Sequence, residues 1–386
     1  MDLVIDGNAF LNVALSVVKG SNQRDNRSEE TYYVNDIFND TYILKEHVKV
    51  GFRNFCFNYF TSLITPIGPF LESVHIVFDS KSWRKEYTKN FFNDSDFKTT
   101  SAPDEFNYKG NRKYDDYQYL FFDYFQKILM PKFIDECGVN EYVVNGAEGD
   151  DIIAYLCDSI KGDIMIYTVD QDIKQKVSNS SRNIIVIVPK QMSKHKKVFI
   201  PETFNPELAE EEEDNFFSLN ESHITGSKID KIIENLVKKD YVEYRVDPIE
   251  EVFQKILRGD KSDNISKINS ITPTKARKII DAINLQFGET SLDLLDNFDE
   301  SLFNFILSQI ETLNKIKESD KLEEIRKHLI FNTRIIRLSV KVFPEEIQDN
   351  LEEFFNGYRV TRFKSKEYQR LKNNQSLIWS HYMKEF

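Results

Sequence analysis

Cysteine is nearly absent from this 386-residue chain, and long apolar runs and histidine clusters are missing altogether. Cys56, Cys137 and Cys157 stand far apart among apolar neighbours, and the six histidines form no ligand-spaced group with them. A disulfide framework is excluded, a zinc site is disfavoured, and reduced core thiols are expected. No stretch approaches the roughly 18 apolar residues of a membrane span. The chain opens on a strand-like Asp2-Leu3-Val4-Ile5 where a leader would be basic and then apolar, so a cytoplasmic protein without membrane contact is expected.

Net positive charge is lacking as well: 51 Lys and Arg face 63 Asp and Glu, a balance of −12. Phosphate binding needs basic side chains, so this total argues against a nucleic-acid partner. The distribution reverses that argument. Residues 255–278 carry Lys255, Arg258, Lys261, Lys267, Lys275, Arg277 and Lys278 against only Asp260 and Asp263, and Lys190, Lys194, Lys196 and Lys197 cluster without an acid. Much of the opposing charge lies in Glu207-Leu208-Ala209-Glu210-Glu211-Glu212-Glu213-Asp214, which reads as a solvated loop or linker.

What the chain does have is carboxylates at the ends of short apolar runs. Leu3-Val4-Ile5 stops at Asp6, His75-Ile76-Val77-Phe78 at Asp79, and Tyr142-Val143-Val144 at Glu148-Gly149-Asp150-Asp151. Ile164 to Val169 stops at Asp170 and Asp172, and a helical segment ending in Leu257 precedes Asp260 and Asp263. In an open parallel sheet the carboxyl ends of the strands converge on one crevice, so these nine acids are expected to meet. Such a crevice is tolerable only with divalent cations, and a donor set without imidazole or thiolate suits Mg²⁺ or Mn²⁺. Acid capping accounts for Glu148, Asp150 and Asp151 taken alone, and a polar turn accounts for any one of the others. All five placements together are poorly explained that way.

With 40% hydrophobic residues the chain can build a full core and has room for two domains. Strand-like runs near 2–5, 74–78, 142–144, 164–168 and 184–188 alternate with helical segments, which predicts an α/β domain with a doubly wound, mostly parallel sheet over 1–200. Residues 201–247 read as an acidic linker or insertion opening a helical region. Helical periodicity over 228–239, 248–258, 274–284 and 301–317 predicts a helical domain over 248–386. Asn264 to Ala276, with Pro273, reads as the turn of a helix pair. Residues 80–115 are polar and basic, a candidate mobile cover for the crevice. In it, Lys109 and Arg112 could neutralise a scissile phosphate and Tyr108 could stack on a terminal base.

At these residues the chain resembles the flap endonuclease and 5′-nuclease family, in particular its tailed-phage ribonuclease H branch. The shared motifs are Ile5-Asp6-Gly7-Asn8, Phe78-Asp79-Ser80, Tyr108-Lys109-Gly110-Asn111-Arg112, Ala147-Glu148-Gly149-Asp150-Asp151, Asp170-Gln171-Asp172 and Gly259-Asp260-Lys261-Ser262-Asp263-Asn264. The resemblance implies a PIN-like sheet domain, and a helical domain with a helix-turn-helix DNA-binding element. It implies two Mg²⁺ ions, replaceable by Mn²⁺: Asp6, Asp79, Glu148, Asp150 and Asp151 would serve the first, and Asp170, Asp172, Asp260 and Asp263 the second. Lys109, Arg112 and Tyr108 would be catalytic. Arg84, Lys85, Lys194, Lys196, Lys197, Lys261, Lys267, Lys275, Arg277 and Lys278 would contact nucleic acid.

The expected activity is 5′→3′ cleavage of flaps, 5′ ends and RNA–DNA hybrids during phage DNA replication in the host cytoplasm, leaving 5′-phosphate and 3′-hydroxyl ends. Candidate partners are a single-stranded-DNA-binding protein and a sliding clamp; Gln375 to Tyr382 partly matches a clamp-docking peptide, although helix packing explains it more simply. A PIN-type ribonuclease and a catalytically silent branched-DNA binding protein are the alternatives. The chain departs from the family at Ile265 to Thr274, where a glycine-rich hairpin is usual and no glycine occurs.

Overall fold

The computed structural model describes residues 1–23, 32–36, 41–93, 108–109, 117–178, 182–189, 196–202, 225–268, 271–316 and 318–382. The chain runs β1 (Asp2–Asp6), α1 (Gly7–Gln23), a hairpin of β2 (Tyr33–Asp36) and β3 (Thr41–Leu44), α2 (Glu46–Ile64), β4 (Ser73–Val77) and α3 (Trp83–Asn93). Next come α4 (Gln118–Tyr124), a π turn, α5 (Met130–Cys137), β5 (Val139–Tyr142), α6 (Gly149–Ser159), β6 (Ile164–Tyr167), a 3-10 helix (Gln171–Lys176), β7 (Ile184–Val188) and β8 (Lys196–Pro201). After α7 (Thr225–Val237) and β9 (Tyr241–Val246) the chain is helical: α8 (Pro248–Arg258), α9 (Pro273–Phe287), α10 (Thr290–Asp296), α11 (Glu300–Asn314), α12 (Ser319–Ile336), α13 (Glu345–Asn356) and α14 (Ser365–Tyr382).

Seven strands form one sheet in the order β5-β4-β1-β6-β7-β8-β9. All neighbours are parallel except β7 and β8. From β1 the chain first builds outward through β4 and β5, and then returns to add β6 and β7 on the other side. The strand order therefore reverses between β1 and β6, where the connecting helices leave a crevice at the carboxyl ends.

Strand alternation fills both faces. Leu3, Ile5, Ile76, Met165, Tyr167, Ile185 and Ile187 bury against α1, α2, α5 and α14 through Phe10, Phe52, Phe57, Phe133 and Tyr368. Val4, Val77, Ile164, Ile166 and Val186 bury on the opposite face. There they meet Ile152 and Leu156 of α6 and a continuous core that includes Phe253, Ile256, Ile280, Ile306 and Leu329. At about 1.5–3 kcal/mol per buried large apolar side chain, this shared core ties the carboxyl-terminal helices to the sheet.

The mostly parallel sheet and the helical second half agree with the sequence reading, with five differences in detail. The strand read at 142–144 runs instead from Val139 to Tyr142, so only Tyr142 of that run belongs to it. The β2–β3 hairpin went unread, and so did β8, which opens on Lys196 and Lys197. β9 lies within 201–247, the segment read as a linker opening a helical region; only its end residues Tyr241 and Val246 are buried, as suits a sheet edge. Pro273 starts α9 at its first position after the Thr272 cap, so the joining loop ends earlier than expected. The acidic run 207–214 and most of the expected cover, 94–107 and 110–116, lie outside the described residues, as do the side chains of 375–382.

Candidate metal centre

Four carboxylates occupy the crevice between β1 and β6. Asp6 ends β1; its Oδ1 accepts the Ala9 N–H at 2.9 Å and its Oδ2 the Thr168 hydroxyl at 2.8 Å. Gly7 follows because the backbone passes close to β4: a Cβ there would lie 2.7 Å from the Val77 carbonyl oxygen. Asp79, just past β4, accepts the Gly149 N–H at the start of α6 at 2.6 Å. Asp170 caps the 3-10 helix by accepting the Asp172 N–H at 2.8 Å. Asp150 stands in the first turn of α6.

Their electrostatics show what the group lacks. Burial, and then the neighbouring charges of Asp79 and Asp170, raise the Asp6 carboxyl to about 7 against the bonds from Ala9 and Thr168. Asp150 is pushed well above the carboxylate range by burial, Asp170, Asp6 and Asp79, with Lys109 the cation opposing them. Hard cations would relieve a desolvated group of like charges, and a donor set of four carboxylates with no sulfur or imidazole would suit Mg²⁺ or Mn²⁺. Among the described residues, no three acidic, imidazole or thiol groups already converge closely enough to enclose an ion. The nine acids expected to meet therefore do not converge as one ion-enclosing cluster among the described residues.

Glu148 and Asp151, expected in the same group, are held differently. Arg84 is 1% exposed. Its Nη1 donates to Glu148 Oε2 at 2.9 Å and to Asp151 Oδ2 at 3.0 Å, its Nη2 to Asp151 Oδ1 at 2.6 Å, and its Nε to the Ile335 carbonyl at 3.0 Å. Trp83 Nε1 and the Glu148 N–H also donate to Asp151 Oδ2, both at 3.0 Å. Burial alone would raise Glu148, but Arg84 and Lys109 bring it down to about 2. These two acids are neutralised by the protein itself. Arg84, expected at the nucleic acid, is internal because every nitrogen of its guanidinium is engaged.

Tyr108 and Lys109 close the same corner. The Tyr108 hydroxyl donates to Glu148 Oε2 at 3.1 Å, and the Lys109 ammonium to Glu148 Oε1 at 2.7 Å. The Lys109 N–H donates to the Asp263 carbonyl at 3.2 Å, with Lys109 held at a φ of 55°. Tyr108 is 5% exposed with the Lys109 ammonium 5.0 Å from its ring centre, so its ring offers no open face to a base. Arg112 lies outside the described residues.

The third group depends on Gly259. Its φ of 68° and ψ of 178° are extended backbone of the wrong hand for other residues. A Cβ there would lie 2.4 Å from the Ile265 carbonyl oxygen. Asp260 and Ile265 exchange backbone bonds at 3.0 and 2.7 Å, closing the loop that carries Asp260 and Asp263. Asp260 Oδ2 and Asp172 Oδ1 both bind the ammonium of Lys255 on α8. Asp263 is buried and lies 3.5 Å from the Tyr108 hydroxyl.

Of the expected nucleic-acid contacts, Lys85, Lys261, Lys267 and Lys278 are exposed. Lys196 and Lys197 sit over the rings of Tyr241 and Tyr244 at the edge of the sheet, Lys275 donates to Asn314, and Arg277 pairs with Glu250 and Asp281. Lys194 lies outside the described residues. Sequence reasoning missed Thr168, Trp83 and Lys255. Lys255 alone left a readable sign, a lysine on the last turn of a helix that ends in two acids.

No family model and no curated protein matches the chain. Among solved structures it is similar to a bacteriophage T5 protein co-crystallised with metal ions, at 12% identity and a TM-score of 0.47, covering 92% of this chain and 97% of that one. It is similar to the bacteriophage T5 flap endonuclease in a pseudo-enzyme-product complex with DNA and metal ions, at 12% identity and a TM-score of 0.45 over 92% and 97% of the two chains. The catalytic core of Rad2 in complex with DNA substrate is matched at 14% identity and a TM-score of 0.32, over 92% and 85%. At such identities and TM-scores the likeness assigns no residue a role.

Proposed function

We propose that this chain is a divalent-metal-dependent 5′→3′ nuclease of the ribonuclease H and flap endonuclease type, removing RNA primers and 5′ flaps in phage DNA replication. The observation that carries the reading is the mutually repelling group of Asp6, Asp79, Asp150 and Asp170 at the switch point of the sheet. Divalent ions, when bound there, supply charge neutralisation at a phosphodiester and activation of water.

The chain's own residues do the rest. Asp6, Asp79, Asp150 and Asp170 hold the cations, while Glu148 and Asp151, locked by Arg84, fix the first turn of α6 that carries Asp150. Lys109 exchanges Glu148 for the scissile phosphate, and Arg112 assists it. Lys261, Lys267 and Lys278 grip duplex phosphates from the helical region over 248–386, and residues 80–115 cover the single-stranded 5′ end.

The test uses a 5′-labelled flap duplex and a matched RNA–DNA hybrid, each with Mg²⁺ and with chelator. The expected result is Mg²⁺-dependent release of short 5′ fragments, lost in Asp170→Asn with substrate binding retained. Tight binding without cleavage in any divalent metal removes the nuclease reading and leaves a branched-DNA binding protein.

A further inference from the structure

The two sides of the acidic centre differ in a way that no motif shows. Asp6 accepts hydrogen bonds from Ala9 and Thr168, Asp79 from Gly149 and Asp170 from Asp172, all of them uncharged donors. Asp172 and Asp260 instead share a cation that the protein supplies. Lys255 donates to Asp260 Oδ2 at 2.7 Å and pairs with Asp172 Oδ1, while Asp260 Oδ1 accepts the Ser262 N–H at 2.8 Å and its hydroxyl at 2.5 Å. One turn earlier on α8, Glu251 pairs with Lys174 at 3.4 Å. Two ion pairs, four residues apart on α8 and two apart on the 3-10 helix, therefore clip these elements together. The ammonium thus bridges Asp172 and Asp260.

Building on the metal-centre reading above, we propose that Lys255 is a positioning residue that stands in for a divalent ion between Asp172 and Asp260. A cation must displace it before those carboxylates can act as ligands. The centre then fills in order, first at Asp6, Asp79, Asp150 and Asp170, where the hydrogen bonds named above come from neutral donors, and only afterwards at Asp172 and Asp260, where binding must break an ion pair. Lys255 keeps the second half folded while empty and sets the concentration at which it fills.

The experiment titrates Mn²⁺ into the full chain without nucleic acid, reading free ion by electron paramagnetic resonance, for wild type, Lys255→Met and Lys255→Arg. Wild type is expected to show a tight step and a second step at least tenfold weaker. Lys255→Met should strengthen the second step at least tenfold and leave the first unchanged, and Lys255→Arg should keep it weak. A wild-type measurement covers a Met variant that fails to fold: reductive methylation of Lys255, read by mass spectrometry, should rise when Mn²⁺ is added. Superimposable isotherms for wild type and Lys255→Met, no Mn²⁺ binding at all, or methylation that stays level or falls would overturn the proposal. Flap cleavage with an unchanged isotherm removes the role of Lys255 and keeps the nuclease; the expected isotherms without cleavage do the reverse.

Discussion

Arg84 grips both oxygens of Asp151, at 2.6 and 3.0 Å, and carries that grip to the far helices through its Nε bond to the Ile335 carbonyl. A buried pair of this kind is costly to break from one side, because the remaining charge keeps its desolvation penalty without its partner. Arg84→Met is therefore expected to lower unfolding free energy by about 3–5 kcal/mol in denaturant titration. Arg84→Met combined with Asp151→Leu should recover part of that loss. A single variant of wild-type stability that binds nucleic acid weakly would return Arg84 to the substrate surface.

Asp150 is expected to behave in the opposite sense. Burial and the charges of Asp170, Asp6 and Asp79 all disfavour its ionised form, so an amide there removes repulsion without leaving an orphaned charge. In chelator, Asp150→Asn should melt at the wild-type temperature or a few degrees above it. In Mg²⁺ it should lose the metal-induced rise in melting temperature that wild type shows, since a ligand that binds only the folded state stabilises it by mass action. A variant that melts well below wild type in chelator would mean that Asp150 is a structural acid.

The sheet and the acids were legible in the sequence for one reason. A strand buried on both faces reads as an unbroken apolar run, and its polar end is a visible boundary. Ser73–Val77 and Ile184–Val188 are of this kind, buried throughout. β9 escaped because an edge strand shows solvent most of its length, and β8 because its first residues are lysines lying over Tyr241 and Tyr244. Within the site, sequence gives the charge of a residue and withholds its partner. Asp150 and Asp151 are adjacent and chemically identical, yet the helix turns one toward Asp170 and the other toward Arg84. No spacing rule separates them, because the separation comes from α3 and the Ile335 carbonyl arriving from elsewhere in the chain.

Gly259 offers a test of backbone alone. At its positive φ, a Cβ 2.4 Å from the Ile265 carbonyl oxygen and 2.6 Å from the Lys267 nitrogen meets main chain that cannot rotate away. Gly259→Ala should therefore cost about 2–3 kcal/mol, more than an ordinary glycine-to-alanine change, and should pull Asp260 away from Lys255. Denaturant unfolding gives the first quantity, and methylation of Lys255 in the metal-free protein reads the second. Wild-type stability in this variant would show that the loop can take another path.

His328 gives the fold a pH dependence of known sign. It is 9% exposed on α12, its Nε2 lies 2.9 Å from the Ser266 hydroxyl, and burial brings its imidazole down to about 4. In the unfolded chain it titrates near 6.5, so between about 6.5 and 4 the unfolded state binds a proton that the native state refuses. Its contribution to stability is thus complete above about pH 6.5, declines as pH falls through that window, and is lost below it. At pH 5 the difference is about 2 kcal/mol. Asp6 works the other way, since a carboxyl raised to about 7 is relieved by protonation, and the total slope therefore mixes both. Comparison with His328→Gln removes the mixture: urea unfolding should show wild type losing about 2 kcal/mol more than the variant between pH 7 and pH 5. Parallel slopes would show that His328 takes up its proton in the folded protein.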